Sequence, residues 1–193
     1  MRKERFEAIS DAVLAIIATL MVLEIKVGDL TDASLKQFVF QLLVYAVSFA
    51  YIAILWINHH NMLRHVEKID MKIVWVNFWL LFFTSLIPLA TSTINEEFYN
   101  TRSHLFFGSV LTVVVLFYSI LEELVYKITK HKYNESNRKM NWLSMCVFAL
   151  SIPLSYVSIY ISSAIFILIP FSYFLLPKKA NQHFSNLPGN LNR

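Results

Sequence analysis

Apolar residues along this chain gather into six blocks, at 6–25, 35–61, 73–94, 105–126, 142–156 and 162–176, separated by short polar stretches. A helix rises about 1.5 Å per residue, so blocks of this size cross a hydrocarbon core about 30 Å thick, with tilt and local thinning absorbing the differences. The last two are the shortest and are divided only by 157–161, which predicts a tight hairpin whose arms bend at Pro153 and Pro170. The first block follows Arg2, Lys3 and Arg5, as a secretory signal would. It is long, however, contains Ser10 and Asp11, and has no Ala-x-Ala cleavage site before Glu24, so it reads as a retained first span. The expected fold class is all-α: a polytopic membrane protein with six transmembrane helices and no soluble domain. Residues 1–193 are expected to form one transmembrane domain, with a loosely ordered tail rich in Asn and Pro at 178–193.

Composition agrees with that class. Hydrophobic residues make up 56% of the chain and charged residues 16%, and mean hydropathy is +0.52, which a soluble domain rarely reaches. The single cysteine, Cys146, excludes an intrachain disulfide and is expected to be a small buried residue. Orientation follows from the tendency of basic residues to stay in the cytoplasm. With the N-terminus inside, fourteen of the 17 lysines and arginines fall inside, and only Lys26, Lys36 and Arg102 fall outside. Both termini are therefore expected to be cytoplasmic, in a cell (plasma) membrane. Trp56, Trp75, Trp79 and Trp142 then lie toward the inner interface, as an aromatic belt requires. The net charge of +4 implies contact with anionic lipid and requires no nucleic acid partner.

Ionisable groups inside a span are costly and ask for a reason. Here they are Asp11 in the first span, His59 and His60 late in the second, and Glu122 and Glu123 late in the fourth. The two glutamates are close enough to Lys127 to reach headgroup water. Asp11 lies about a turn and a half into its helix and needs a partner, for which His59 or His60, bonding to Asp11 or to Ser10, is one candidate and Asn77 a second. Adjacent histidines project about 100° apart on a helix, and neither has a ligand four residues away, so a hydrogen-bonding role is favoured over a metal site. Asn77 on the third span is a bridge between helices. Pro88, among Thr84, Ser85, Thr91, Ser92 and Thr93, predicts a kink whose freed carbonyls those hydroxyls satisfy.

On a helical wheel that starts from Ile16, Thr19 falls at about −60°, Leu20 at about +40° and Leu23 at about −20°, which makes one stripe. Asp11, at about −140°, and Ser10, at about +120°, lie on the other side. Ala8, Ala12 and Ala15 run beside the stripe, where small residues permit close helix approach. Taken alone, this stripe reads as a face packed on lipid or on a core. The chain has no P-loop, G-x-S-x-G, paired cysteine motif or H-E-x-x-H, so no enzyme class is indicated. With Gly28, Gly108 and Gly189 its only glycines, it has no glycine-containing selectivity filter.

The segment Arg5-Phe6-Glu7-Ala8-Ile9-Ser10-Asp11-Ala12-Val13-Leu14-Ala15-Ile16-Ile17-Ala18-Thr19-Leu20 resembles the first helix of the transmembrane protein 175 family, the endolysosomal potassium channels and their prokaryotic relatives. Arg5, Ser10 and Asp11 match the family signature, and Ile9 stands where the family has phenylalanine. The Leu23-Glu24-Ile25-Lys26 ending and the stretch from Trp56 to His60 extend the likeness. The resemblance implies a homotetramer of the single-repeat prokaryotic type, with helix one lining a central pore for potassium in the lipid bilayer. It implies constrictions at Ile16, Leu20 and Leu23, selectivity at Thr19, and permeant potassium near Thr19 and Ile16. No cofactor beyond the permeant cation is expected. Arg5, Ser10 and Asp11, with Trp56, His59, His60 and Asn77, are implied to form a structural network that holds the pore helix. A proton- or cation-coupled secondary transporter is the alternative, with Asp11 and the histidines as its relay.

Overall fold

The computed structural model describes residues 2–26, 31–64, 66, 69–129 and 135–175. Helix α1 covers Lys3–Leu20 and continues as one turn of 3-10 helix over Met21–Glu24. Helix α2, Asp32–Leu63, starts at a Thr31–Ser34 capping box, in which each side chain satisfies the other's backbone N–H. Its 32 residues extend about 48 Å, more than a hydrocarbon core requires, so it tilts or projects beyond the bilayer.

The third span is two helices, α3 over Met71–Thr84 and α4 over Ile87–Glu96. The break follows from Pro88, which has no N–H to continue the ladder. The hydroxyls around it turn back to carbonyls one turn earlier: Thr84 to Leu80, Ser85 to Phe82, Thr91 to Ile87 and Thr93 to Ala90. Helix α5, Thr101–Ile128, is capped by Asn100, and α6, Glu135–Val157, meets α7, Ile159–Leu175, with only Ser158 between them. The α6–α7 pair is the expected antiparallel hairpin, cross-bonded from Ser162 to the Ser151 carbonyl and from Tyr173 to Asn141.

Five of these segments are long and apolar enough to cross a membrane, and Ile159–Tyr173 is a shorter apolar sixth. The 178–193 tail lies outside the described residues. In lipid, apolar surface gives little drive toward helix association, so close packing and interhelical hydrogen bonds bring these helices together. Gly108 of α5 is such a contact: a Cβ there would lie 3.0 Å from Ser151 Oγ and 3.4 Å from the Phe166 ring. Gly108→Leu is expected to destabilise the bundle by about 1–3 kcal/mol through overpacking. Gly108→Ala is nearly neutral, because about 0.8–1 kcal/mol of gained helix propensity offsets its tight contact. Thermal melts of the two variants in detergent test this; equal melting would show that α5 and α6 are not in close contact. Cys146 corrects the expectation of burial: it is exposed on α6. Asn141, Ser144 and Phe148 take the buried face of α6, and Cys146 lies on the other side of that helix.

Candidate functional site

Helix one has two faces. Phe6, Ser10, Leu14, Ile17 and Met21 recur at spacings of three and four and are buried in the bundle. The opposite face carries Ile16, Leu20 and Leu23, which are 57%, 47% and 73% exposed, together with exposed Thr19. Ala8, Ala12 and Ala15 are also exposed beside it. The 3-10 turn changes the C-terminal end of this stripe. In a continuous α-helix Leu20 and Leu23 would stand about 60° apart. In a 3-10 turn, residues three apart eclipse, so Leu23 lies in line with Leu20. Thr19 Oγ1 donates to the Ile16 carbonyl at 2.8 Å. Its hydroxyl proton is thereby used within the helix, and the oxygen lone pairs are left as acceptors.

The N-terminal half of helix one is anchored by a chain of hydrogen bonds with a defined direction. Ser10 Oγ donates to the Phe6 carbonyl at 3.0 Å, and Asn77 Nδ2 donates to Ser10 Oγ at 2.8 Å. Asn77 Oδ1 is then the acceptor facing His59 Nε2 at 2.7 Å. An amide oxygen accepts only, so His59 carries its proton on Nε2, and its buried Nδ1 has no partner among the described residues. All three side chains are buried. Asp11 is bonded elsewhere: its Oδ1 accepts from the Trp56 indole N–H at 2.9 Å, and His60 stacks on the Trp56 ring. The expected pairing of Asp11 with a histidine or with Asn77 is corrected, because His59 and Ser10 both bond Asn77 while Trp56, three residues before His59 on α2, faces Asp11. Arg5 is exposed and makes no hydrogen bond to these residues.

A second polar cluster lies between α5, α6 and α7. Glu122 is 0% exposed, and its Oε2 accepts from Asn141 Nδ2 at 2.8 Å. Tyr173 donates to Asn141 Oδ1 at 2.7 Å and lies 3.3 Å from Ser144 Oγ. The expectation that Glu122 reaches headgroup water is therefore corrected; its neighbour Glu123 instead takes Arg138 at 2.6 Å and Lys127 at 3.9 Å. Above this cluster a cavity of about 60 Å³, lined by Tyr51, Asn58, Leu111, Tyr118, Ser144 and Tyr173, has room for a few water molecules. Asn141 and Tyr173 carry no signal in the sequence, because their register against Glu122 is set only when α6 folds back on α5. Gln41, buried in α2, accepts the Lys26 backbone N–H at 2.7 Å. Its one signal in the sequence is a primary amide beside Leu42, Leu43 and Val44.

The class these features define is a polytopic helical membrane protein whose first helix is held from one side by polar anchors and leaves its other side unoccupied. Residues 5–88 match the family described as Endosomal/lysosomal potassium channel TMEM175. A protein of Chryseobacterium sp. (strain P1-3) named as a potassium channel is 35% identical over 93% of this chain and 95% of its own length. The chain belongs to the TMEM175 family. The Danio rerio endosomal/lysosomal proton channel TMEM175 is 31% identical over 63% of this chain, a match that takes in 26% of that larger protein. The crystal structure of a lysosomal potassium-selective channel TMEM175 homolog from Chamaesiphon minutus shares the fold, with a TM-score of 0.76 over 90% of this chain and 96% of that one, at 23% identity. These relatives are channels, not enzymes, and the chain is a multi-pass channel protein of the membrane.

Proposed function

We propose that this chain assembles as a homotetramer around a central pore lined by helix one and passes potassium selectively across a plasma membrane, with both termini cytoplasmic. Ile16, Leu20 and Leu23 form aliphatic constrictions, and Thr19 contributes selectivity, with the permeant ion passing near Thr19 and Ile16. The observation that carries this reading is the sorting of helix one. Its anchors all leave from one side, while its exposed side combines large aliphatic residues, one hydroxyl and exposed alanines that let copies of the helix approach. Relatives named as potassium channels supply the ion. The basic ends, Lys3, Arg64, Lys72 and Lys127, support the orientation.

Thr19 supports selectivity through the direction of its hydroxyl bond. With its proton given to the Ile16 carbonyl, each Thr19 oxygen offers lone pairs to a cation or to the water around it. Thr19→Val keeps the shape and deletes that acceptor. Conduction is expected to survive while preference for potassium over sodium falls, read from the reversal potential in mixed ions; an unchanged reversal potential would remove Thr19 from the selectivity mechanism. The competing carrier reading draws on His59, buried in the bundle, as a relay group with Asp11. Flux through purified protein in liposomes separates the two: a channel passes potassium in proportion to voltage, whereas a carrier couples it to a second ion.

A further inference from the structure

Helix one is supported at two levels, and α2 takes part in both. Its inner half is tied to α3 through Ser10 and Asn77, and to α2 through Asp11 and Trp56. Its outer 3-10 turn packs on α4 and buries Met21 completely. Just beyond that turn, the Lys26 backbone N–H donates to Gln41 Oε1 on α2, and the Lys26 ammonium pairs with Glu96, the last residue of α4. The Glu96 hydrogen bond holds the Lys26 ammonium above its ordinary pKa. Between the two levels the third span is interrupted at Ser85 and Leu86, so no continuous helix of that span links the inner anchor to the outer one.

The two outer ties differ in strength. Lys26 and Glu96 are both well exposed, and ion pairs in that setting contribute little. Gln41 is buried, so its oxygen would be left without a partner inside the bundle if the Lys26 N–H moved away. We propose that Gln41 is a positioning residue for the outer constriction: by accepting the Lys26 N–H it fixes the 3-10 turn that brings Leu23 into line with Leu20, about 22 Å along α2 from the Trp56 that anchors the inner half. This rests on the pore reading above, in which Leu23 faces the axis. A support that distant acts locally, so removing it moves Leu23 and leaves Ile16 in place.

The test uses the full chain with Cys146→Ser, carrying either Leu23→Cys or Ile16→Cys, in planar bilayers. A membrane-impermeant methanethiosulfonate is applied from the outer side while potassium current is recorded. Gln41→Leu is expected to change the modification rate at position 23 by about fivefold or more, the factor an ordinary hydrogen bond supports, and to leave position 16 within about twofold. Gln41→Glu keeps an acceptor oxygen and restores the native rate. Glu96→Gln, which loosens only the exposed tie, shifts position 23 in the same direction by a smaller factor, and Gln41→Met, which deletes the acceptor at the native side-chain length, decides the matter if Gln41→Leu does not assemble. Equal changes at both positions, or none at position 23, overturn the positioning role. Modification at position 23 that never alters current in any background removes the pore reading, and this inference with it.

Discussion

Ile16→Asn is expected to raise the resting potassium current about tenfold or more, the factor that follows from taking about 1.4 kcal/mol off the barrier. A ring of branched aliphatic side chains offers an ion no coordination, so conduction requires either crossing a dewetted gap or parting the helices until water enters. Asparagine has comparable bulk and a wettable surface, and a homotetramer carries the change in every subunit. Because Ile16 is exposed on the described chain, the substitution leaves the bundle intact. Its neighbour is the control for direction. Ile17 is 3% exposed and packs in the core, so Ile17→Val is expected to cost about 0.5–1.5 kcal/mol of stability and to leave the current unchanged. Single-channel and macroscopic recordings of both variants decide the axis. Equal effects at the two positions, or none at Ile16, would mean that another face of helix one lines the path.

Asn77→Leu should give the largest loss of stability among the polar anchors. It deletes the bridge between Ser10 and His59 and leaves the His59 Nε2–H buried without an acceptor, a cost of about 1–3 kcal/mol per stranded group. Asp11→Ala should cost less, because its Trp56 partner is partly exposed and can turn its indole N–H to water or headgroups. Both should leave the preference for potassium over sodium unaltered, since neither side chain reaches the exposed stripe. Thermal denaturation of the assembled protein in detergent ranks the two. Asn77→Leu melting like the native chain would place the stability of helix one outside this network, and a changed reversal potential in either variant would place the residue in the ion path.

The six apolar blocks were enough to read a helical membrane bundle, because each block must satisfy its own backbone hydrogen bonds in lipid and a helix does so locally. The wheel of helix one was equally legible: a period of 3.6 separates Ile16, Thr19, Leu20 and Leu23 from Ser10 and Asp11 without reference to any other segment. Local chemistry also located the break near Pro88 and the hairpin near Ser158. Partner choice was not legible in this way. Asp11 had three plausible partners in sequence and took Trp56, because the rotation of α2 against α1 brings that residue alongside it. Glu122 sits one residue from Glu123, yet one is buried against Asn141 and the other meets Arg138, a distinction made by the face of α5 that α6 covers.

What the sequence determined by itself is therefore what short-range physics controls: the helices, their order, the gathering of basic charge at one end of them, and which residues share a face of helix one. Only the tertiary structure decided which of those faces is buried, how the polar side chains pair, and that the outer turn of helix one is wound as 3-10 against α4 and tied to Gln41. The reason is geometric. Periodicity fixes the angle of a side chain about its own helix axis, whereas burial and hydrogen bonding depend on the rotation and height of the neighbouring helices, which are set by contacts between residues far apart in the chain.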